Sequence, residues 1–365
     1  MAGQAMASRP RNRNRDAFQG FCVEARRYWM SEIWGELKAE YRQQSQGKTA
    51  HSADDVAAML EPNPLYWYYA WLERHIQRAK YSGRWGLAPS LAHEPPERFP
   101  NAQIKLDPSV PIPQYYAAVD IHQHPGNLHG APGAGAVYKA SAGSTQPGAT
   151  AGYELHERFA QYVERLGRFD RILDMGCGFG KSALPLATRF SNAMIKGVDL
   201  AAPCLELAAA EAVTSAVPNL AYEQADARHT PYDEESFDLV TSTMVLHELD
   251  EPALRELFRE TYRLLEPGGT VVHLDFQVRD PFLEFIHLGH SRRNNEPYMR
   301  PLNKMDVARE LTSLGFTDIR IEPFEEADGA TRPEWPTWRF PWMAFVAKKP
   351  AAANPSIATP SIATP

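Results

Sequence analysis

The chain has 365 residues, 44% of them hydrophobic and 23% charged, and its formal net charge is −7. This composition is ordinary for a globular protein with one large domain and an accessory region. No apolar run approaches the ~20 residues that span a bilayer, and the arginine-rich start lacks the apolar stretch of a secretory signal. We therefore expect a cytoplasmic protein without a membrane span. The three cysteines are too few and too scattered for a disulfide framework or a metal cluster.

The composition divides the chain into four parts. Residues 1–15 are predicted to form a disordered basic arm, and residues 351–365, which are rich in Pro and Ala, a disordered tail. Between them we expect an N-terminal accessory region over residues 16–150 and a main domain over residues 151–350. The main domain has an excess of acidic residues, which argues against a nucleic-acid partner.

The accessory region is predicted to be helical first and loop-rich afterwards. Apolar residues recur at three- and four-residue steps over residues 16–44, which predicts an amphipathic helix. Two more helices are expected, over residues 52–61 with Ser52 as N-cap and over the aromatic segment 64–81. Residues 83–152 are dense in Pro and Gly, so we expect loops there with short helical or extended pieces.

The main domain alternates helices and strands, which predicts a parallel sheet with helices on both faces. Helices are expected over residues 153–166, 181–190, 203–215, 252–265 and 303–314. Strands are expected over residues 171–175, 194–200, 220–224, 237–242, 270–276, 317–322 and 342–348. Ligands of such sheets bind at the carboxyl ends of the strands.

A glycine-rich turn follows the first of these strands. Asp174 ends the strand, and Gly176, Gly178 and Gly180 follow at alternate positions. Such turns usually hold phosphates, but Asp174 would repel a pyrophosphate, and the spacing is G-x-G-x-G rather than the dinucleotide pattern G-x-G-x-x-G. A carboxylate beside open backbone suits a ligand with a cationic head. S-adenosyl-L-methionine (SAM), with its ammonium and sulfonium groups, is such a ligand.

Two more carboxylates follow the next strands. Asp199 ends the second strand, where an acidic residue can bind the two hydroxyls of a ribose. Asp226 follows the third strand and could accept a hydrogen bond from the adenine amine. A single Asp after a strand is usually a turn residue, but three in register with a glycine turn predict a binding site.

The segment from about residue 170 to 276 resembles the class I SAM-dependent methyltransferases, in particular the small-molecule branch related to quinone-biosynthesis enzymes. Five motifs in order carry the resemblance: Asp174-Met-Gly-Cys-Gly-Phe-Gly180, Gly197-Val-Asp199-Leu200, Gln224-Ala-Asp226-Ala227, Phe237-Asp-Leu-Val240 and Leu264-Leu-Glu-Pro-Gly-Gly269. The resemblance implies an α/β fold with a Rossmann-like, seven-stranded, mostly parallel sheet whose last strand is reversed. The N-terminal accessory region, helical and rich in aromatic residues and Pro, lies outside it.

The resemblance also implies SAM as the cofactor and an enzyme that transfers its methyl group to a small molecule by in-line displacement. The predicted cofactor-binding residues are Asp174, Gly176, Cys177, Gly178, Gly180, Asp199, Leu200, Asp226, Ala227 and Thr243. Oxygen or carbon acceptors are favoured over nitrogen by the likeness to quinone-type enzymes. Whether the chain forms a homo-oligomer is left open.

The acceptor side is predicted from fewer observations. His247, after the fourth strand, is the candidate general base, and packing under the pocket is an equal alternative for it. Asp275 is expected to face the acceptor. The polar insertion over residues 277–303 is interpreted as a substrate lid, with Arg293 and Asn295 as substrate residues.

A histidine-rich segment lies in the accessory region. It contains His122, His124 and His129, and alternate histidines on an extended segment could bind a metal. With no cysteine or second carboxylate nearby, packing against the main domain is favoured and no metal is assigned. His122 or His124 could then close the acceptor pocket, and His124 is counted among the substrate residues.

Three other functions compete with a small-molecule methyltransferase. An NAD-dependent dehydrogenase conflicts with the glycine spacing and with Asp174 and Asp226. A non-catalytic SAM-binding or scaffold protein is not excluded by the motifs. A nucleic-acid methyltransferase is disfavoured, because Ser242-Thr-Met-Val245 stands where exocyclic-amine enzymes carry an Asn/Asp-Pro-Pro-aromatic motif.

Overall fold

The computed structural model describes residues 12–93, 95–145 and 154–352. Most of the predicted basic arm and of the predicted tail lies outside the described residues. The prediction of disorder up to residue 15 is wrong for the last three residues of the arm, because helix α1 begins at Arg13. Asn12 caps this helix, since its Oδ1 accepts a hydrogen bond from the backbone N–H of Arg15 at 3.2 Å.

Four helices begin the accessory region, where the sequence predicts three. They are α1 (Arg13–Tyr28), α2 (Trp34–Gln44), α3 (Ala53–Leu60) and α4 (Pro64–Tyr81). A π-helical turn, Trp29–Ile33, joins the first two into the one long helix expected there. The capping box predicted at the start of α3 is present, with Ser52 and Asp55 as its partners.

The accessory helices share a core with the C-terminal part of the chain. The ring of Trp29 stacks on Tyr69 with centroids 4.8 Å apart, and its Nε1 donates a hydrogen bond to the Tyr69 carbonyl at 2.9 Å. Trp338, shortly before the last strand, lies 5.3 Å from Trp29 and is fully buried with it. Trp29 therefore joins α4 to the segment before the last strand.

The Pro- and Gly-rich segment contains more structure than its composition indicates. Its elements are α5 (Leu87–Leu91), β1 (Ile104–Lys105), α6 (Gln114–Ala117), a 3₁₀ turn (Ile121–Gln123) and α7 (Ala134–Thr145). Helix α7 is not predicted because its Ala- and Gly-rich sequence has no apolar period. It packs closely on the helix that follows the second sheet strand of the main domain, where a Cβ on Gly135 would collide with the carbonyl oxygen of Pro203.

The central sheet has eight strands rather than the predicted seven. They are β1, β2 (Arg171–Met175), β3 (Met194–Asp199), β4 (Leu220–Gln224), β5 (Phe237–Thr243), β6 (Leu265–Phe276), β7 (Thr317–Pro323) and β8 (Trp342–Lys348), in the order β1-β4-β3-β2-β5-β6-β8-β7. The extra strand comes from the accessory region, since β1 pairs in parallel with β4. Only β8 runs antiparallel to its neighbours. The prediction of an α/β, Rossmann-like, mostly parallel sheet with a helical N-terminal region is confirmed.

Helices cover both faces of the sheet, as the alternation predicts. They are α8 (Glu154–Leu166), α9 (Ala183–Arg189), α10 (Ala202–Thr214), α11 (Glu251–Leu264) and α14 (Val307–Ser313). Two separate hydrophobic cores lie against the sheet, and neighbouring residues of β2 alternate between them: Ile172 belongs to one and Leu173 to the other. Among the described residues no helix is long and apolar enough to cross a membrane.

The polar insertion before α14 is a pair of helices, α12 (Pro281–Asn294) and α13 (Met299–Lys304), rather than a loop. Asp280 caps α12 by accepting a hydrogen bond from the backbone N–H of Leu283 at 2.9 Å. Most of α12 is buried, and it packs against α3 and α4. The polar side chains of α12 include His290 and Arg293, which pair with the buried Glu73, and the interpretation of this insertion as a substrate lid stays a prediction.

Candidate active site

A cleft of about 990 Å³ lies at the carboxyl ends of the central strands. Eight of the ten predicted cofactor residues line it: Gly176, Cys177, Gly178, Asp199, Leu200, Asp226, Ala227 and Thr243. We call this cleft the cofactor cavity. The sequence motifs therefore converge in space, as the parallel-sheet prediction requires.

The glycine turn has a backbone conformation that favours glycine over other residues. Gly176, Gly178 and Gly180 all have positive φ, at 68°, 53° and 81°. A Cβ on Gly176 would lie 2.5 Å from Cγ2 of Val245, which itself lines the cavity. Gly180 does not line the cavity; a Cβ there would collide with the hydroxyl of Tyr222 in the core.

Asp174 lies beneath the cavity rather than in it. Its carboxyl is fully buried and accepts hydrogen bonds from the hydroxyls of Ser182 and Thr241. Burial raises its pKa to about 7, although the two hydroxyls act in the opposite direction. Ser182, in contrast, lines the cavity. Asp174 therefore does not line the cavity, and it holds the turn from below through these two hydrogen bonds.

Asp199 and Asp226 both line the cavity but have different partners. Asp199 accepts hydrogen bonds from the backbone N–H of Gly178 and of Ala201, each at 2.8 Å. Burial raises its pKa to about 6 against the effect of these donors. Asp226 forms an ion pair with Arg228, whose terminal nitrogen lies 2.6 Å from its Oδ2. Both side chains are thus fixed before any ligand binds.

The roof of the cofactor cavity comes from the accessory region. The five residues of this region that line the cavity, none of which is singled out from the sequence, are Tyr115, Tyr116, Leu128, Tyr138 and Ala142. Burial raises the pKa of Tyr138 well above its usual value, so this hydroxyl is neutral over the physiological range. The accessory region is thus part of the site.

A second cavity of about 830 Å³ adjoins the first, and we call it the acceptor cavity. Six residues line both cavities: Tyr138, Ala142, His156, Lys181, Met244 and Glu248. Aromatic rings of Phe276, Phe340 and Trp342 form one wall, with Phe276 and Phe340 stacked 4.5 Å apart. Met244, at the junction, has a left-handed φ of 60°. A non-glycine residue in that conformation is typical of a functional site.

His247 lines the acceptor cavity and is held from behind by Asp275. Its Nδ1 lies 2.8 Å from Oδ1 of Asp275, and its backbone N–H is 3.3 Å from the other carboxylate oxygen. Among the described residues its Nε2 makes no hydrogen bond; Oε1 of Glu248 is 4.0 Å away. Burial lowers the pKa of His247, but Asp275, Glu248 and Glu296 outweigh burial, and the net shift is upward.

A second histidine, His122, is half-buried and lines the same cavity as His247. Its Nε2 lies 2.9 Å from Oε1 of Glu248 and its Nδ1 lies 2.9 Å from Oε1 of Glu296. Glu296 also contacts Nε2 of His290 at 3.4 Å. Burial lowers the pKa of His122, but the two carboxylates raise it to about 10. The side chain is therefore an imidazolium at neutral pH.

Comparison with known proteins identifies the family. The family described as "Methyltransferase domain" matches residues 172–269. The uncharacterized methyltransferase sll0829 of Synechocystis sp. is 32% identical over 152 residues, which are 41% of this chain and 68% of that protein. The chain belongs to the class I SAM-dependent methyltransferases. Its cofactor is therefore SAM, and the resemblance seen in the sequence is confirmed.

Other relatives differ in the molecules that their names specify. The 27-O-demethylrifamycin SV methyltransferase of Amycolatopsis mediterranei is 35% identical over 168 residues, which are 46% of this chain and 60% of that enzyme. Phosphoethanolamine N-methyltransferase 1 of Arabidopsis thaliana is 29% identical over 176 residues, 47% of this chain and 34% of that enzyme. The chain spans between 34% and 60% of the length of these and two further curated relatives.

The cofactor cavity of this methyltransferase fits SAM by charge and by shape. Carboxylates of Asp199, Asp226 and Glu248 line a space that would take the ammonium and sulfonium groups. Asp199 could bind the ribose hydroxyls, since each of its oxygens keeps a lone pair after accepting one backbone donor. Gly178 leaves the turn open, with only Tyr138 within 4 Å of where its Cβ would be.

The predicted substrate residues of this methyltransferase do not line the acceptor cavity. Asp275 lies behind His247 and is fully buried. Arg293 forms a buried ion pair with Glu73 of α4. Asn295 is exposed, in the left-handed position that ends α12. His124 is buried edge-on against Tyr81, and burial lowers its pKa to about 4. None of these four residues is part of the lining of the acceptor cavity.

The three histidines of the accessory loop point to different places. His122 reaches the acceptor cavity, His124 packs on Tyr81, and His129 packs against Tyr116 with ring centroids 5.4 Å apart. Within the described ranges no three His, Cys, Asp or Glu side chains are grouped to hold a metal. Sequence reasoning did place either His122 or His124 at the pocket. It missed Glu248 and Glu296, because a Glu on a polar segment gives no sign of burial.

Proposed function

We propose that this protein transfers the methyl group of SAM to a hydroxyl oxygen of a small, largely apolar molecule bound in the acceptor cavity, with His247 as general base. One observation carries the proposal: Asp275 occupies Nδ1 of His247, while the same ring lines a cavity that adjoins the cofactor cavity. On this proposal residues 151–350 are the catalytic domain and residues 16–150 form its roof. An acidic C–H is an alternative acceptor of the same kind.

On this proposal each residue of the site has one role. SAM, when bound, supplies a methyl group already activated by the positive sulfonium. The aromatic wall of Phe276, Phe340 and Trp342 would hold the apolar body of the acceptor and exclude water. Asp275 keeps the proton of His247 on Nδ1, which leaves the Nε2 lone pair to take the hydroxyl proton as the oxygen attacks. Alignment of the two ligands across the junction can supply most of the acceleration.

The pH dependence follows from the state of His247. Only the neutral ring can accept a proton, and its pKa lies above the ordinary value because of the nearby carboxylates. Turnover is therefore expected to rise with pH through that raised pKa and then to level off. Protonation below it removes the base without removing the cofactor site.

A hydroxyl or an acidic C–H is favoured over an amine for a physical reason. A hydroxyl gains nucleophilicity when a base removes its proton, whereas a neutral amine attacks through its lone pair and needs no base first. The relatives support both classes of acceptor, since one is named for 27-O-demethylrifamycin SV and another for phosphoethanolamine. N-methylation is accordingly the second candidate, and the acceptor panel below separates the two.

The direct experiment measures S-adenosylhomocysteine formed from SAM with a panel of phenols, enols, activated carbon acids and amines. We expect turnover with a hydroxyl or carbon acceptor and a loss of about 10²–10⁴-fold in kcat for His247→Gln, with SAM affinity retained. The exposed His229→Gln is the matched control and should behave as the wild type. Amine-specific turnover that is indifferent to His247→Gln would contradict the proposal.

The remaining alternatives are separated by binding measurements. Calorimetry should detect SAM and not NAD; tight binding of NAD alone would favour a dehydrogenase. A scaffold protein would bind SAM and yet form no S-adenosylhomocysteine with any acceptor, including an extract of cell metabolites.

A further inference from the structure

His122 is held in a strained backbone conformation by distant parts of the chain. His122 and the next residue, Gln123, both have a φ of 58°, a left-handed conformation that strains a non-glycine residue. Gln77 of α4 donates a hydrogen bond to the His122 carbonyl at 2.7 Å, and the Gln123 side chain donates to the Arg293 carbonyl at 2.7 Å. Such strain persists only where the surroundings impose it.

In this strained segment the imidazole of His122 lies between the carboxylates of Glu248 and Glu296. Glu248 comes from the turn after β5 and lines both cavities, whereas Glu296 comes from the residues after α12 and lines the acceptor cavity. Both ring nitrogens of His122 are occupied, at 2.9 Å each. A ring with two donors and no lone pair to spare cannot serve as a base, in contrast to His247.

Glu248 is the group whose position matters most for the reaction. Its Oε1 lies 4.0 Å from Nε2 of His247, and the residue reaches into the cofactor cavity as well. A free glutamate at this junction could turn toward Lys181, which also lines both cavities, or toward water. A Glu248 side chain that is hydrogen-bonded to His122 keeps its carboxylate between His247 and the cofactor cavity.

We propose that His122 is a positioning residue: as an imidazolium bonded to Glu248 and Glu296 it fixes the Glu248 carboxylate at the junction of the two cavities. The accessory region thereby completes the active site, because neither carboxylate has this partner without the loop at residues 121–123. This inference rests on the proposed function for its kinetic consequence but not for its geometry.

The arrangement of His122 between Glu248 and Glu296, which we call the clamp, lies among several other charged groups. His247 is faced by Asp275, Glu248 and Glu296. His122 is faced by the same two glutamates, and Glu296 also by His290, which in turn contacts Glu73. The other ionisable residues that line the acceptor cavity are Arg26, Tyr138, His156 and Lys181. His122 is the group that bonds to both Glu248 and Glu296.

The first test needs no acceptor. Nitrogen-15 spectra of the histidine rings, recorded on the full chain, should show His122 doubly protonated at pH 8. Glu296→Gln should lower the pKa of His122, because one of the two carboxylates that raise it loses its charge. A neutral His122 ring at pH 8 in the wild type would overturn the clamp, whatever the enzyme methylates.

The second test is a double-mutant cycle on turnover with His122→Gln and Glu248→Gln. If His122 acts through Glu248, each single variant should lower kcat by roughly 10- to 100-fold, and the double variant should be no worse than Glu248→Gln alone. Effects that multiply in the double variant would contradict the inference. The exposed His229→Gln, which lines neither cavity, is the control for folding and should keep the wild-type kcat and melting temperature.

The two proposals fail in different ways. If the wild type forms no S-adenosylhomocysteine with any acceptor, the proposed function fails while the ring spectra still decide the clamp. If His247→Gln abolishes turnover and His122→Gln does not change it, the clamp fails and the proposed function stands.

Discussion

The cofactor cavity and the acceptor cavity meet at Met244 and Glu248 but are built in opposite ways. The floor of the cofactor cavity comes from the backbone of one turn and the ends of neighbouring strands, within residues 176–249. The acceptor cavity is assembled from side chains that lie between residue 26 and residue 342. The glycine turn depends on the conformation of its own backbone. The acceptor cavity depends instead on ion pairs and hydrogen bonds between buried charged side chains that are distant in sequence. The two regions should therefore fail for different reasons when they are mutated.

The largest effect is expected where a buried charge on the acceptor side loses its partner. Glu73 is fully buried and pairs with Arg293 and His290. Glu73→Gln leaves the Arg293 guanidinium buried without its counter-charge, so the free energy of unfolding should fall by about 3–5 kcal/mol in urea titrations. Glu24→Gln, which breaks an exposed pair with Arg27, is the matched control and should change it by less than about 1 kcal/mol.

The same residue predicts a pH dependence of stability. Burial would raise the pKa of Glu73, but Arg293 and His290 outweigh it and lower the pKa to about 2 from an ordinary 4.5. A carboxyl whose folded pKa is depressed contributes stability above the ordinary value and loses it as the pH falls through the folded value. The wild type should therefore lose stability between about pH 4.5 and 2 more steeply than Glu73→Gln. Equal slopes would mean that the Glu73 pair is not formed.

The next largest effect is expected in the glycine turn of the cofactor cavity. In Gly176→Ala the new Cβ would meet Val245 at 2.5 Å, and φ is 68°. The left-handed conformation alone costs an alanine about 1–2 kcal/mol. SAM affinity should fall about 30- to 100-fold by calorimetry. Gly268→Ala is the matched control, because Gly268 also has positive φ, at 88°, but has nothing within 4 Å of its Cβ position and lines neither cavity. It should leave SAM affinity unchanged.

The predictability of the two regions from sequence follows their construction. The turn at Gly176 and the acidic residues Asp199 and Asp226 could be predicted, because a strand followed by glycines and carboxylates fixes both the local conformation and the edge of the sheet where they lie. The placement of Asp174 beneath the cavity could not be predicted, because its partners Ser182 and Thr241 are brought to it only when the chain folds.

The acceptor side was predicted only where it is local. His247 follows β5 directly and was predicted either to act as base or to pack under the pocket. Arg293 was misplaced because it pairs with Glu73 of α4, more than 200 residues away in the chain. Asn295 was misplaced because it is exposed at the end of α12, where its side chain donates a hydrogen bond to the Asp120 carbonyl. His122 depends on two residues with positive φ that are not glycines. The local sequence does not predict such a backbone conformation, because the surrounding structure imposes it.

A smaller effect on SAM affinity is expected from Asp199, one of the carboxylates that line the cofactor cavity. Asp199→Asn removes one negative charge that faces the cationic cofactor, and hydrogen bonds to charged groups are worth about 1.5–3 kcal/mol, so SAM affinity should fall by at least about 10-fold. The pKa of Asp199 is about 6. The affinity of the wild type should therefore weaken as the pH falls through 6, while Asp199→Asn shows no such step. A step of the same size in both proteins would assign it to another group.

The smallest effect is expected far from both cavities, at the start of α3. Ser52→Ala removes one half of the capping box, because the Ser52 hydroxyl accepts a hydrogen bond from the backbone N–H of Asp55 at 3.2 Å. Loss of a serine cap costs about 1 kcal/mol of unfolding free energy, measurable in urea. Helix α3 packs on α12, which carries the partners of Glu73. If the acceptor side is one cooperative network, Ser52→Ala should lower stability without changing SAM affinity. A change in SAM affinity would mean that the two regions are coupled more tightly than their construction indicates.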